Sequence, residues 1–394
     1  MSRILVCAAY TPYPPAGGGR ADIWRRIQAF TELGHSVMLV HQFDPAGPHV
    51  PTSEHLAEMD QVLQARFTYP VQHGPRRVIR QATQLLRRPW GVTRALPTVA
   101  ESQELQEAVR KFRPEVIWMD GPWLGGTATR LATAHGLPIA YRSHNVEHVY
   151  LRRQASATPS RRNQLMWRLA TVGLKRYELR LMGSAQRVLD ISLDDLAFWK
   201  QEGVKNARWL PPLPELALTG PPTQVVSSDV LFVGGLRLPN NVGGVRWLIN
   251  EVLPEVHKAR PEVTVSVVGS TPLPDLAAEL AANPAVRTYF NVPSVYPYLF
   301  GGKVLVNPVS VGSGVQLKMV DMLMTEAPIV TRTQGTRGLP AECLAQCSVS
   351  DSVEGFATAI LRSLESPGVD RAARERSRQP FTVAAVGEAI AGLA

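Results

Sequence analysis

The chain has 394 residues, long for one hydrophobic core, and its 45% hydrophobic and 19% charged content is that of an ordinary globular protein. A formal net charge of +9, with an isoelectric point near 9.7, points to nucleic acid, an anionic lipid surface or phosphorylated small molecules, or to no acidic partner at all. Three cysteines (Cys7, Cys343, Cys347) exclude a disulfide framework and a close-spaced metal cluster and fit a reducing compartment, and no run of about twenty apolar residues offers a membrane span.

Residues 3–9 are an apolar run that reads as a first buried strand rather than a signal segment, because it is short and runs into Pro12, Pro14 and Pro15. A glycine turn follows, Gly17-Gly18-Gly19. Ile23, Trp24, Ile27 and Phe30 then recur at helical spacing over 20–33, and Gly34 stops them. With a strand at 37–40 this makes a βαβ unit. Residues 44–100 are proline-bearing, basic and irregular, with weak helical patches. Helix and strand alternate again over 101–112, 115–119, 124–135 and 138–142, and Ser143-His144-Asn145-Val146-Glu147-His148 follows that last strand. A long basic helix is expected over 161–183, then a strand at 187–192 and a short helix at 194–202.

The proline-rich stretch Pro211 to Pro222 is the best linker candidate. Beyond it, strands are expected at 230–233, 263–268, 286–289, 304–306 and 329–331, with helices between, and two helices near 353–364 and 383–393. The expected organisation is a first doubly wound domain over 1–210, a linker over 211–226 and a second doubly wound domain over 227–379. A last helix over 380–394 packs back on the first domain. Two such domains would face one another across a cleft lined by strand C-termini.

The second domain holds an informative stretch. After the apolar run Val304-Leu305-Val306 the chain passes through Gly312-Ser313-Gly314 into Val315-Gln316-Leu317-Lys318-Met319-Val320-Asp321. Strand, glycine turn and helix aim free backbone N–H groups at an anion. Lys318 and Asp321, three apart, share a helix face; a cation there suits a diphosphate and a carboxylate suits ribose hydroxyls. The competing reading is an ordinary βα turn with a solvated pair. No nucleic-acid module is present in the sequence.

Ordered motifs then resemble the bacterial family-four sugar transferases of GT-B fold, the group of glycogen synthases and mannosyltransferases. They are Leu231-Phe232-Val233-Gly234-Gly235-Leu236, Pro239-Asn240-Asn241-Val242-Gly243-Gly244, Val267-Val268-Gly269, Gly312 to Asp321, and Gly335-Thr336-Arg337-Gly338-Leu339. The first half adds Gly17–Gly19, the run His144-Asn145-Val146-Glu147, and Tyr177-Glu178 followed by Ser192. The resemblance implies transfer of a hexose-type sugar, with retention, from a nucleotide-diphosphate sugar. The acceptor hydroxyl belongs to a glycan, a lipid-linked molecule or a small molecule. It implies a bacterial enzyme with no cofactor and no essential metal. The cysteines place the protein in the cytoplasm, the lack of a nucleic-acid module gives no nucleic-acid partner, and the basic helix over 161–183 allows a peripheral place at the inner face of the membrane. Lys318 would contact the diphosphate, Asp321 the ribose, and His144 the reacting sugar. Gly17, Gly18, Gly19, Gly235, Arg237, Ser313, Gly314 and Val315 would complete the donor site, with Arg20, Asn145 and Glu147 on the acceptor. Three positions depart from the family pattern: Ser313 and Gly235 stand where a glutamate and an arginine are usual, and Asp321 where the family has a longer carboxylate.

Two alternatives stay open: a non-catalytic nucleotide-sugar-binding partner, and a sugar-nucleotide epimerase of the same fold, which would need a denser acid/base set than His144 alone. Glu147 either orients His144 or begins a helix. The helix over 161–183 interleaves arginines with Leu165, Met166, Trp167, Leu169, Val172, Leu174 and Leu179. Its apolar face is expected in the core, with an anionic membrane as the competing partner.

Overall fold

The computed structural model describes residues 1–15, 17–47, 50–73, 89–93, 96–157, 160–312, 314–366 and 368–393. Ser313 and the basic residues Arg76, Arg77, Arg80, Arg87, Arg88 and Arg94 lie outside the described residues. The chain forms two compact units, Met1–Pro211 with Val383–Ala394, and Pro212–Thr382.

The first unit holds a seven-stranded parallel sheet in the order β3-β2-β1-β4-β5-β6-β7. Its strands are β1 (Arg3–Ala8), β2 (Ser36–Phe43), β3 (Ala65–Pro70), β4 (Val116–Asp120), β5 (Ile139–Ser143), β6 (Arg187–Asp190) and β7 (Ala207–Trp209). The direction of winding reverses between β1 and β4, the place where such sheets open a crevice at their strand C-termini. Register brings Ala8, Asp120 and Arg142 side by side there, with Ser143 beside Asp190. The helix Gly18–Glu32 covers the sheet because Ile23, Trp24, Ile27 and Phe30 are buried; Phe30 meets Trp118 edge-on with ring centroids 5.0 Å apart. The helix Gly125–His135 ends on Gly136 in the left-handed region, as its sequence predicts. The helix Val383–Ile390 belongs to this unit: Gly387 lies against Leu33, and Arg187 donates to the carbonyls of Ala389 (2.5 Å) and Ala391 (3.2 Å).

The second unit holds a six-stranded parallel sheet, β10-β9-β8-β11-β12-β13. Its strands are β8 (Ser228–Gly234), β9 (Val265–Gly269), β10 (Val286–Phe290), β11 (Gly302–Asn307), β12 (Ile329–Thr331) and β13 (Cys347–Val349). The reversal falls between β8 and β11. Val230, Phe232, Val267, Val304, Val306 and Val330 form the sheet's part of one buried cluster, closed by Leu248, Val252, Phe356 and Ile360 from the helices. The fold class expected from the sequence is therefore found: α/β, two doubly wound parallel sheets.

Several elements differ from expectation. Within residues 44–100 a helical patch is found as Ser53–Val62, which Thr52 caps in a capping box with His55, but the strand β3 is not among the expected elements. The single helix expected over 161–183 is two, Arg161–Ala170 and Leu174–Ser184, separated at Gly173 in the left-handed region. The second piece buries Leu174, Tyr177, Leu181 and Met182. The first buries none of its described side chains, so the expected core face is confined to the second piece. The helix after β8, one of those expected between the strands, begins at Pro239 and passes through a π-helical turn at Leu248–Val252.

Candidate functional site

In the first unit a charged cluster gathers at the C-terminal ends of β4 and β5. Gly17 starts the helix Gly18–Glu32 from φ 92°, a backbone state that favours glycine, and this sets Asp22 on the second turn against the sheet. Arg142 grips Asp22 with Nε and Nη2, at 3.0 to 3.1 Å, and both are almost wholly buried. The remaining Nη1 of Arg142 donates to the Leu210 carbonyl. Arg26 adds an Asp22 contact at 3.7 Å and donates to the Pro211 carbonyl at 2.9 Å. Burial alone would push the Asp22 carboxyl up; Arg142, Arg26 and His144 outweigh it and hold it below its ordinary value.

His144 sits just past β5, between two carboxylates. Its Nε2 bonds Asp120 Oδ1 at 2.7 Å, and its Nδ1 is 3.6 Å from Asp22 Oδ2. Burial would strip the ring of its proton, but the Asp120 charge and hydrogen bond outweigh that, and the pKa lies above the ordinary histidine value. Asp120 is steadied by Trp118 Nε1 at 3.4 Å. The expectation that Glu147 orients His144 is corrected: Asp120 holds Nε2 by a hydrogen bond, and Asp22 is the carboxylate beside Nδ1. Glu147 instead opens the helix Glu147–Ala157, where burial and then the neighbouring Glu178 push its pKa up to about 7. Its carboxyl is hydrogen-bonded by Asn145. Glu178 accepts from the backbone N–H of Glu147 (2.9 Å) and of His148 (3.2 Å), and from His148 Nδ1 at 2.7 Å. A buried carboxylate on a helix N-terminus is electrostatically favourable. Arg20 lies over the Tyr10 ring at 5.8 Å, and the Tyr10 hydroxyl borders Gly19.

In the second unit the site is built around Lys318, on the first turn of the helix Leu317–Leu323. Among the described residues its ammonium pairs with no carboxylate: it donates to Asn241 Oδ1 at 2.7 Å and lies 4.4 Å from the centroid of Phe232, the residue two before the end of β8. Burial lowers its pKa from 10.5 to about 7. Asn241 is itself buried, and its Nδ2 donates to the Gly235 carbonyl at 3.0 Å, which turns Oδ1 toward the lysine. Gly234 makes room: a Cβ there would lie 2.9 Å from both Lys318 Nζ and the Phe232 ring. Asp321 is buried and accepts from the Tyr296 hydroxyl at 2.6 Å. Gly314 has φ 63°, Val315 is buried and Gln316 accepts from Asn307 Nδ2 at 3.1 Å. Arg237 is exposed, its Nε on the Thr271 carbonyl at 3.1 Å. Arg337 is exposed as well.

Thus Lys318, Gly234, Gly235, Asn241 and Phe232 come together in the second unit, and Gly17–Gly19, Arg20, His144, Asn145 and Glu147 lie at one edge of the first sheet. The sequence reading missed Asp22, Asp120, Arg142 and the lysine's partner Asn241. A signal existed for two of them. Asp120 ends a buried apolar strand just before a glycine, and Asp22 stands three residues beyond the glycine turn.

Residues 227–366 match the family described as glycosyl transferases group 1. A curated relative, an uncharacterized 44.6 kDa protein in the cps region of Klebsiella pneumoniae, is 24% identical over 92% of this chain and 90% of its own. Among solved structures, sucrose-phosphate synthase from Thermosynechococcus elongatus superposes with a TM-score of 0.62 at 16% identity, over 100% of this chain and 98% of that one. HepE of Anabaena in complex with UDP gives 0.65 at 11%, over 99% and 98%. TarM gives 0.63 at 11%, over 100% and 98%. The segment that matches the group 1 glycosyl transferases lies in the second unit, and the chain as a whole has the GT-B fold of these structures.

Proposed function

We propose that the protein transfers a hexose-type sugar, with retention, from a nucleotide-diphosphate sugar to an acceptor hydroxyl. The observation that carries this reading is Lys318: a cation drawn into the end of β8, held by an amide and an aromatic face rather than by a carboxylate. Such a charge is left unneutralised, and a diphosphate leaving group is the anion that would complete it. Gly235, Gly314 and Val315 would line the phosphates, with Arg237 at the rim. Asp321, already oriented by Tyr296, would take ribose hydroxyls.

In the first unit, His144, whose Nε2 is held by Asp120, would donate a hydrogen bond to the reacting sugar. Its Nδ1 lies 3.6 Å from Asp22 Oδ2, too long for a hydrogen bond, and is the nitrogen that would meet a sugar hydroxyl. Arg20, Asn145 and Glu147 would meet the acceptor, and Gly17–Gly19 would let the backbone approach the donor phosphates. An epimerase would need free acids at this place; Asp22 and Asp120 are committed to Arg142 and His144.

Uridine nucleotides are the first donors to try, because HepE and TarM are described in complexes with UDP, and HepE with UDP-glucose. The relative from the cps region supports a role in polysaccharide assembly. The free thiols of Cys7, Cys343 and Cys347 support a cytoplasmic residence. The test is release of nucleotide from UDP- and GDP-sugars by the wild type and by Lys318→Ala. Loss of one charge stabiliser should lower turnover by about two orders of magnitude with the fold retained. Wild-type turnover in the variant would overturn the site, and nucleotide binding without turnover on any donor would make the protein a non-catalytic binder.

A further inference from the structure

The described residues include fifteen large hydrophobic side chains that stand exposed, and five of them fall within eight residues: Leu165, Met166, Trp167, Leu169 and Val172. Scattered singly such residues are normal; gathered on one element they mark a contact surface. Their exposure runs from 40% at Trp167 to 67% at Val172. Leu165 and Leu169 are four apart and Met166 and Leu169 three apart, so these three share one stripe of the helix Arg161–Ala170. Arg161, Arg162 and Arg168 flank that stripe on the same helix, and Lys175 and Arg176 follow on the next. No acidic residue occurs from Ser160 to Tyr177. Lys175 pairs with Glu202 at 2.7 Å. Arg161, Arg162, Arg168 and Arg176 are in no ion pair among the described residues.

Apolar side chains with arginines beside them on a short exposed helix match the chemistry of a lipid headgroup boundary, where aliphatic groups insert and guanidinium groups meet phosphates. Charge selects the occupant. A second copy would bring the same basic patch on a chain already at +9, and the two would repel. A zwitterionic surface would leave the arginines without net attraction. We propose that the helix Arg161–Ala170 docks on an anionic lipid bilayer, lying in the headgroup plane with Leu165, Met166 and Leu169 inserted. None of these residues belongs to the His144 or Lys318 groups, so this surface and the donor chemistry succeed or fail separately.

The test is flotation of the full chain with vesicles of phosphatidylcholine alone, or of phosphatidylcholine mixed with phosphatidylglycerol, at low and high salt. Binding is expected only to the mixed vesicles and is expected to weaken with salt. Each arginine near such a surface strengthens binding by about fivefold. Replacing Arg161, Arg162 and Arg168 together by Gln should therefore weaken it by about a hundredfold. Leu165→Gln with Leu169→Gln should weaken it by at least about tenfold with the melting temperature unchanged, because both side chains are already in water. Failure to float with mixed vesicles at low salt would overturn the proposal, as would binding that neither variant weakens. Self-association abolished by the leucine changes, without vesicle binding, would assign the surface to a second copy and overturn it equally.

Discussion

Lys318 carries its charge where burial penalises it, and the consequence is a pH dependence in the donor step. With a pKa near 7 the free protein holds the ammonium fully charged only below neutrality. A diphosphate binds the charged form, so affinity for a nucleotide sugar should be constant below about pH 7. Above it, affinity should fall by up to about tenfold per pH unit until the pKa of the complex is reached. Calorimetric titration of a UDP-sugar from pH 6 to 9 measures this; a flat profile would remove Lys318 from the phosphates. Asn241→Asp should weaken binding at pH 7 by about ten- to a hundredfold, because a carboxylate at 2.7 Å would neutralise the lysine that the amide leaves free. Glu147 makes an opposite kind of statement. Its folded pKa of about 7 lies above the ordinary 4.5, so the folded chain holds a proton that the unfolded chain has released. The folded state is therefore penalised progressively as pH rises from 4.5 to 7, and the penalty stays above that, by at most about 3 kcal/mol. Glu147→Gln should stabilise the protein at pH 8 and leave it nearly unchanged at pH 4.5. Urea melts at the two pH values decide this, and equal stabilisation at both would contradict it.

At the scale of elements, the central strands were legible because parallel strands buried on both faces read as unbroken apolar runs, as β1, β2, β8 and β11 do. The strands that escaped are the edges. β3 carries Arg66 and Thr68 and ends on Pro70, β7 has three residues, and β13 is largely exposed. An edge strand has one neighbour and needs less apolar sequence. The break at Gly173 escaped because a glycine between two amphipathic stretches is compatible with one helix or two. The site was legible where chemistry is local in sequence, as in Gly312 to Lys318. It was illegible where long-range register makes the contact, as when β4 and β5 bring Asp120 beside Arg142. Close approach of β8 to its neighbours gives a test of that register. A methyl on Gly269 would overlap the Gly234 carbonyl oxygen, whereas a methyl on Gly234 meets the ends of Lys318 and Phe232. Gly269→Ala must part β8 from β9 and should cost about 3 kcal/mol or more. Gly234→Ala should cost less in stability but weaken nucleotide binding, since Lys318 must move. Thermal melts with and without a UDP-sugar separate the two, and a Gly269→Ala protein as stable as the wild type would refute the pairing.

For the whole molecule, the chain leaves its first unit at Pro211, builds the second, and returns at Val383 to finish the first. Two units with separate sheets should unfold in two transitions rather than one. A nucleotide sugar bound at Lys318 stabilises only the unit that holds it, so the ligand-shifted transition identifies the second unit. The returning helix gives the first unit its own handle. Val386, Ile390 and Leu393 are buried, and Arg187 is tied to the last carbonyls. Each such aliphatic side chain contributes about 1.5–3 kcal/mol. A chain ending at Thr382 should therefore lose several degrees or more from the transition that the nucleotide does not move. The nucleotide-shifted transition, and the binding itself, should survive. Scanning calorimetry of the full and shortened chains, each with and without a UDP-sugar, reads both transitions at once. An unaltered first transition would mean that the last helix contributes nothing to the unit it packs against, and a lost ligand shift would mean that donor binding needs the first unit intact.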